Sequence, residues 1–137
     1  SNDTTGYNGT LTVSGTFRPT TGYFNGCTLQ NGATLDLSGW ANGTFNTHGL
    51  YASGAAASRT TATFAGGANI TLSLEGRRDL SRMAKENQYF VEWEAGSKPA
   101  DSVTFTLDPA TAMRGYTLIR DDGGLKLFPS GLRIIVK

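Results

Sequence analysis

Two carboxylates open the question of chemistry. Glu92 and Glu94 sit two residues apart in the run YFVEWE at 89–94. On a strand, residues at that spacing point to one side and stand roughly 7 Å apart. Retaining glycosidases hold two carboxyls about 5 Å apart and inverting ones hold them wider, so glycoside processing is the reaction this pair would suit. The neighbours argue the other way. Tyr89, Val91 and Trp93 alternate with Phe90, Glu92 and Glu94. An apolar face made of the first three turns the glutamates to solvent.

Other reactive side chains are few. The chain has one histidine, His48, and one cysteine, Cys27. Together they could form a thiol–imidazole pair, but such a pair needs an orienting group that sequence does not place. A loop histidine and a small buried cysteine are the plainer expectations. One of each provides no zinc set. Asp121 and Asp122 precede Gly123-Gly124. Calcium needs several oxygen ligands, and without a full ligand loop these residues read as a turn. Arg77, Arg78, Arg82 and Lys85 interleave with Asp79 and Glu86, which predicts a solvated helix face. Phosphate-loop, dinucleotide and serine-elbow motifs are absent from the sequence. Tyr7, Tyr23, Trp40, Tyr51 and Trp93 could stack on sugar rings. Trp40, set between Gly39 and Asn42-Gly43, is the best placed of them, against the alternative of a core tryptophan. The candidate ligand-binding residues are therefore Trp40, Tyr23 and Tyr51. No catalytic residue, metal ligand or cofactor is expected.

The elements that position these residues read as strands. Leu11 and Val13, Leu35 and Leu37, and Ile70, Leu72 and Leu74 each alternate with small polar residues between glycines. That is the pattern of half-buried strands bounded by turns. The three share a loose form: glycine, polar residues, alternating aliphatics, glycine. Matching Leu11 to Leu35 and Leu35 to Ile70 makes an imperfect repeat, with the ASGAAAS stretch at 52–58 lengthening the second interval. Asn-Gly pairs stand at 8–9, 25–26, 31–32 and 42–43. Such pairs close two-residue hairpins and favour a β-sandwich. Low charge, glycine corners and repeated strand motifs favour a β-solenoid of stacked coils.

Charge divides the chain in two. Residues 1–76 contain only Asp3, Arg18, Asp36, Arg59 and Glu75 as charged residues. Stacked strands would place identical charges over one another, so uncharged polar residues suit them. Residues 77–137 predict one short helix over 80–86 capped by Asp79, then strands through Val103–Phe105–Leu107 and Tyr116–Leu118, a turn at 121–124, strand residues Leu125 and Leu127, and a last strand over 132–136. This half reads as an antiparallel meander able to cover the open end of a sheet or solenoid.

Composition sets outer bounds. The 137 residues suffice for one domain with a core. Twelve basic and eleven acidic side chains give a net charge of +1, and so no global attraction to nucleic acid. One cysteine excludes an internal disulfide. No apolar run approaches the roughly 20 residues of a membrane helix, so membrane insertion is not expected. Ser1 opens the sequence without a basic-plus-apolar leader, which suggests a mature form or a cut piece of a longer chain. Sequons at Asn2, Asn8, Asn42 and Asn69 would matter only in a eukaryotic secretory pathway.

The segments GTLTVSGTF, LQNGATLDLSG and GANITLSLEG resemble the β-strand repeats of autotransporter-like passenger proteins. RRDLSRMAKENQYFVEWEAGSKPADSVTFTLD and GYTLIRDDGGLKLFPSGLRIIV are similar to the C-terminal regions of large repetitive bacterial surface proteins of that kind. The resemblance implies secretion or surface display, a right-handed β-helix and a role in adhesion, and it transfers no catalytic residue. The expectation is thus a single all-β domain over 1–137, a β-solenoid with an antiparallel C-terminal cap and one short helix, with a β-sandwich as alternative. Its function would be non-enzymatic: a structural or adhesion module whose partners are glycans or other protein chains. A carbohydrate-binding module and, behind it, a glycoside-processing enzyme are the alternatives.

Overall fold

Alternation of aliphatic and hydroxyl side chains yields strands, and glycines with positive φ end them. The computed structural model describes residues 11–20, 23–40, 43–53, 56–94 and 96–129, with backbone only for 50–53 and 56–58. In chain order the elements are β1 (Leu11–Val13), β2 (Thr16–Phe17), β3 (Cys27–Leu29), β4 (Thr34–Asp36), β5 (Phe45–Asn46), β6 (His48–Ser53), β7 (Ala56–Phe64) and β8 (Asn69–Ser73). They continue as α1 (Leu80–Lys85), β9 (Val91–Glu92), β10 (Thr104–Leu107), α2 (Pro109–Ala112), β11 (Tyr116–Arg120) and β12 (Gly124–Pro129). The fold is all-β, with two short helices among the described residues. The strands form three small sheets, ordered β1-β3-β7-β6, β10-β8-β4-β2 and β11-β12-β9-β5.

Pairing is parallel from layer to layer. Thr16, Thr34, Thr71 and Thr106 lie in one register, and Phe17, Leu35, Leu72 and Leu107 in the next. Thr12, Thr28 and Thr63 form a second threonine ladder beside Leu11, Cys27 and Ala62. Leu35 therefore lies beside Leu72, not Ile70, and Leu11 and Leu35 belong to different sheets; the spacing assumed from sequence is corrected on both counts. The described residues of the ASGAAAS stretch belong to the antiparallel arm β6–β7.

Corners recur with the layers. Ala33 N–H donates to Gln30 O, Ala68 N–H to Ala65 O and Val103 N–H to Ala100 O, each at 3.0 Å. Gly32 and Gly67 supply φ of 89° and 75° at the third position, as a type II turn requires. Asn31-Gly32 thus turns the chain between two sheets and does not close a hairpin. The corners also bond to one another: Asn69 N–H donates to Asn31 Oδ1 and Gly67 N–H to Ser102 Oγ.

The second part of the chain departs from the expected meander. β10 extends the parallel sheet beside β8, and β9 lies parallel to β5; in this part only β12 runs antiparallel to its neighbours, β9 and β11. α1 forms as expected, but Asp79 makes no side-chain cap bond. α2 was not expected. Its cap is Asp108, whose carboxylate accepts from Thr111 N–H and, with Thr111 Oγ1, from Leu74 N–H. A buried helix cap thus takes the backbone donor that a further turn would otherwise meet. The strand expected over 132–136 lies outside the described residues.

Aromatic contacts knit the core. Phe17, Phe24 and Phe45 pack against one another at one side, and Phe64, Trp93 and Phe105 at the other. Phe24 presses on Gly49 so closely that a Cβ there would stand 2.1 Å from its ring. Asn25 is buried with both side-chain polar atoms unpartnered, although its Asn-Gly sequence suggests an exposed turn.

Candidate functional site

One corner recurs in sequence as well as in space. TLDLSGW at 34–40 and TLSLEGR at 71–77 each end in a turn, Trp40 N–H to Leu37 O and Arg77 N–H to Leu74 O, both 3.1 Å. Trp40 and Arg77 thus hold equivalent places in neighbouring layers. A cleft of about 710 Å³ lies at this corner, with Trp40, Arg77, Arg78, Asp79, Arg82 and Gln88 among its walls. That volume is within the range of small-molecule sites, about 300–1,000 Å³.

Trp40 is partly buried, edge-on to Phe45 with ring centroids 5.1 Å apart, and its Nε1–H donates to Thr44 O. It is neither a free surface platform nor a fully enclosed core residue. Arg77 is 5% exposed. Its Nε and Nη2 donate to the two oxygens of Asp79 at 2.9 and 2.5 Å, Nη2 also reaches Gly43 O, and the guanidinium lies 5.6 Å from the Phe90 centroid. Nη1 has no partner. Burial pulls the Asp79 carboxyl upward, but its hydrogen bonds and charge attraction to Arg77, with Arg82 behind, outweigh that and hold it below the ordinary carboxylate value.

The expectation of one solvated basic face is therefore corrected for Arg77. A charge can be buried when a bidentate partner and an aromatic face replace water, and sequence proximity to Asp79 did not reveal that depth. Comparing the last residues of the two TL-x-L-x-G corners would have shown Arg77 in a tryptophan's place. Arg82 remains at the surface, 3.1 Å from Glu86 and 3.9 Å from Asp79. Arg78 is exposed and meets no hydrogen-bond or ion-pair partner among the described residues.

The other candidates separate. Tyr23 is 47% exposed, next in sequence to buried Phe24. Tyr51 pairs with Ser58 in the β6–β7 arm, and its side chain lies outside the described residues, as does Tyr7. Glu92 accepts from Asn46 Nδ2 at 3.3 Å, while Glu94 meets Arg59 at 3.3 Å. Each carboxylate has its own partner. Val91 and Trp93 are buried as expected, but Phe90 takes the core position assigned to Tyr89. Tyr89 instead carries Lys126 over its ring and donates its hydroxyl to Asp121. Cys27 is buried in β3, and desolvation pushes its thiol up to about 12, so it stays protonated and unreactive at neutral pH. His48 donates its backbone N–H to Asn46 Oδ1 at the start of β6. Asp121 accepts from the Gly123 and Gly124 amides, which makes it the organiser of the β11–β12 turn. Partial desolvation opposes ionisation there, but Tyr89, the two amides and Lys126 hold the carboxyl below its usual value.

Among the described residues no helix is long and apolar enough to cross a membrane. Comparison with family models, curated proteins and solved structures finds no match for this chain.

Proposed function

We propose that this chain is a non-enzymatic structural or adhesion module from the C-terminal region of a repetitive bacterial surface protein, its layers forming a β-solenoid closed at one end by antiparallel strands. The observation that carries this reading is the same i to i+3 backbone hydrogen bond recurring at 30–33, 65–68 and 100–103, with side chains linking each corner to the next. A fold that repeats one corner and one threonine ladder invests its sequence in backbone regularity, which suits an extended scaffold. The resemblance to autotransporter-like passengers adds surface display, secretion, and glycans or other protein chains as partners. Trp40 at the rim of a cleft favours carbohydrate as the adhesive ligand over a purely mechanical role.

Incubation of the purified chain with immobilised polysaccharides, followed by assays for retention and for released reducing ends, tests the proposal. Retention or inertness without cleavage is the expected outcome. Release of reducing ends that disappears in the double variant Glu92→Gln, Glu94→Gln would replace the scaffold reading with a glycoside-processing enzyme.

A further inference from the structure

We infer that the cleft beside Trp40 binds an acidic saccharide, a sugar ring carrying a carboxylate, with Trp40 contacting the ring and Arg78 the carboxylate. The inference rests on the adhesion function proposed for the chain and names its ligand class. Three arginines face one aspartate among the cleft's walls. Arg77 is neutralised by a bidentate bond to Asp79, and Arg82 is divided between Asp79 and Glu86. Of the three, Arg78 is left uncompensated among the described residues. A guanidinium fork matches a carboxylate in two parallel hydrogen bonds, which an ammonium cannot do.

The partner of that charge must also suit the rest of the cleft. Trp40 is only partly buried, and an indole face takes the C–H groups of a sugar ring. Exposed Gln88 accepts from Arg82 Nη1 through its Oε1 at 3.4 Å, which leaves its amide NH2 as donor for a hydroxyl. One free guanidinium beside one aromatic ring fits one carboxylate per ring. Nucleic acid would need a stripe of cations, and a net charge of +1 does not provide a basic surface.

Amide and indole NMR shifts during titration with trigalacturonate, and separately with neutral trigalactose, test the inference on the intact chain. Trigalacturonate should shift the Trp40 indole and the amides of Gly43, Gly76, Arg78 and Gln88, and the neutral trimer should bind at least about tenfold more weakly, a difference of ~1.4 kcal/mol. Arg78→Ser, at an exposed residue with no partner to lose, should weaken trigalacturonate by a similar factor while leaving the remaining spectrum intact. Trp40→Ala should abolish binding; because Trp40 also packs on Phe45, Arg78→Ser is the variant that decides if this one unfolds. Absence of shifts with trigalacturonate, equal binding of the neutral trimer, or an unchanged affinity in Arg78→Ser each overturns the inference. A chain that is retained on another polysaccharide yet ignores trigalacturonate loses this inference alone and keeps the adhesion function.

Discussion

The parallel ladders of β2, β4, β8 and β10 and the antiparallel end made by β11 and β12 keep strands together with different residues. In the ladders, like lies beside like: threonine on threonine, as also between β3 and β7, where the Thr28 and Thr63 hydroxyls are 3.0 Å apart. Self-similar stacking tolerates hydroxyls because each can donate to the next, and it disfavours like charges side by side because they would repel; the one ladder carboxylate, Asp36, lies beside Ser73. In the antiparallel pair, unlike residues meet everywhere except Leu118 beside Leu127: Ile119 faces Lys126 and Arg120 faces Leu125. Charge is usable there, and it serves as closure. Arg120 donates to the carbonyls of Pro99, Ala100 and Val103 and lies over Phe105. Those carbonyls lie in and beside the 100–103 corner, so one side chain of β11 ties that corner down. A parallel ladder can be monotonous, whereas the antiparallel sheet uses residues particular to each position.

Glycine substitutions give the largest test of that contrast. A Cβ at Gly124, where β12 meets β9, would stand 1.9 Å from Val91 O. Gly124→Ala should cost more than about 3 kcal/mol or prevent folding, because backbone cannot move aside cheaply. Gly67 lies at a repeating corner with open space around the missing Cβ and φ of 75°. Gly67→Ala meets only the left-handed conformational penalty and should cost about 1–2 kcal/mol. Urea unfolding of both variants ranks them, and equal losses would mean that the end is no more specific than the repeat.

Removing the closing charge comes next. Arg120→Met keeps much of the side-chain packing but takes a donor from three carbonyls, of which Ala100 O keeps the Val103 N–H, a loss of about 1–3 kcal/mol. Amide exchange of β10 should accelerate more than that of β3, since the opened corner adjoins β10. Uniform acceleration across both strands would show that Arg120 supports global stability and not local closure.

The smallest effect belongs to the ladder. Thr28→Val with Thr63→Val exchanges two hydroxyls for methyls on a strand surface that favours β-branched residues, and stability should stay within about 0.5 kcal/mol. Thr28→Lys with Thr63→Lys stacks two ammonium groups and should be clearly worse, recovering with added salt. A double lysine variant as stable as the double valine would mean that charge repulsion is not what keeps the ladders uncharged.

Much of this was legible in sequence because it is local. Alternation in TLDLS and NITLS, glycine at the corners, the short helix after Asp79 and the Asp121–Gly124 turn all follow from residue periods and turn chemistry. The partly buried state of Trp40 lay between its two sequence readings, a sugar platform and a core residue. Tertiary structure alone decided the register that sets Leu35 beside Leu72, the parallel direction of β10, the exchange of Tyr89 for Phe90 in the core, and the burial of Arg77. Register depends on how corners of different lengths close over a shared core, and strand direction on where the connecting chain returns. Arg77 is buried because Asp79 and Phe90 meet it on a neighbouring surface. A residue's own period tells which way it can point, but only the packed neighbours determine whether that direction leads to water.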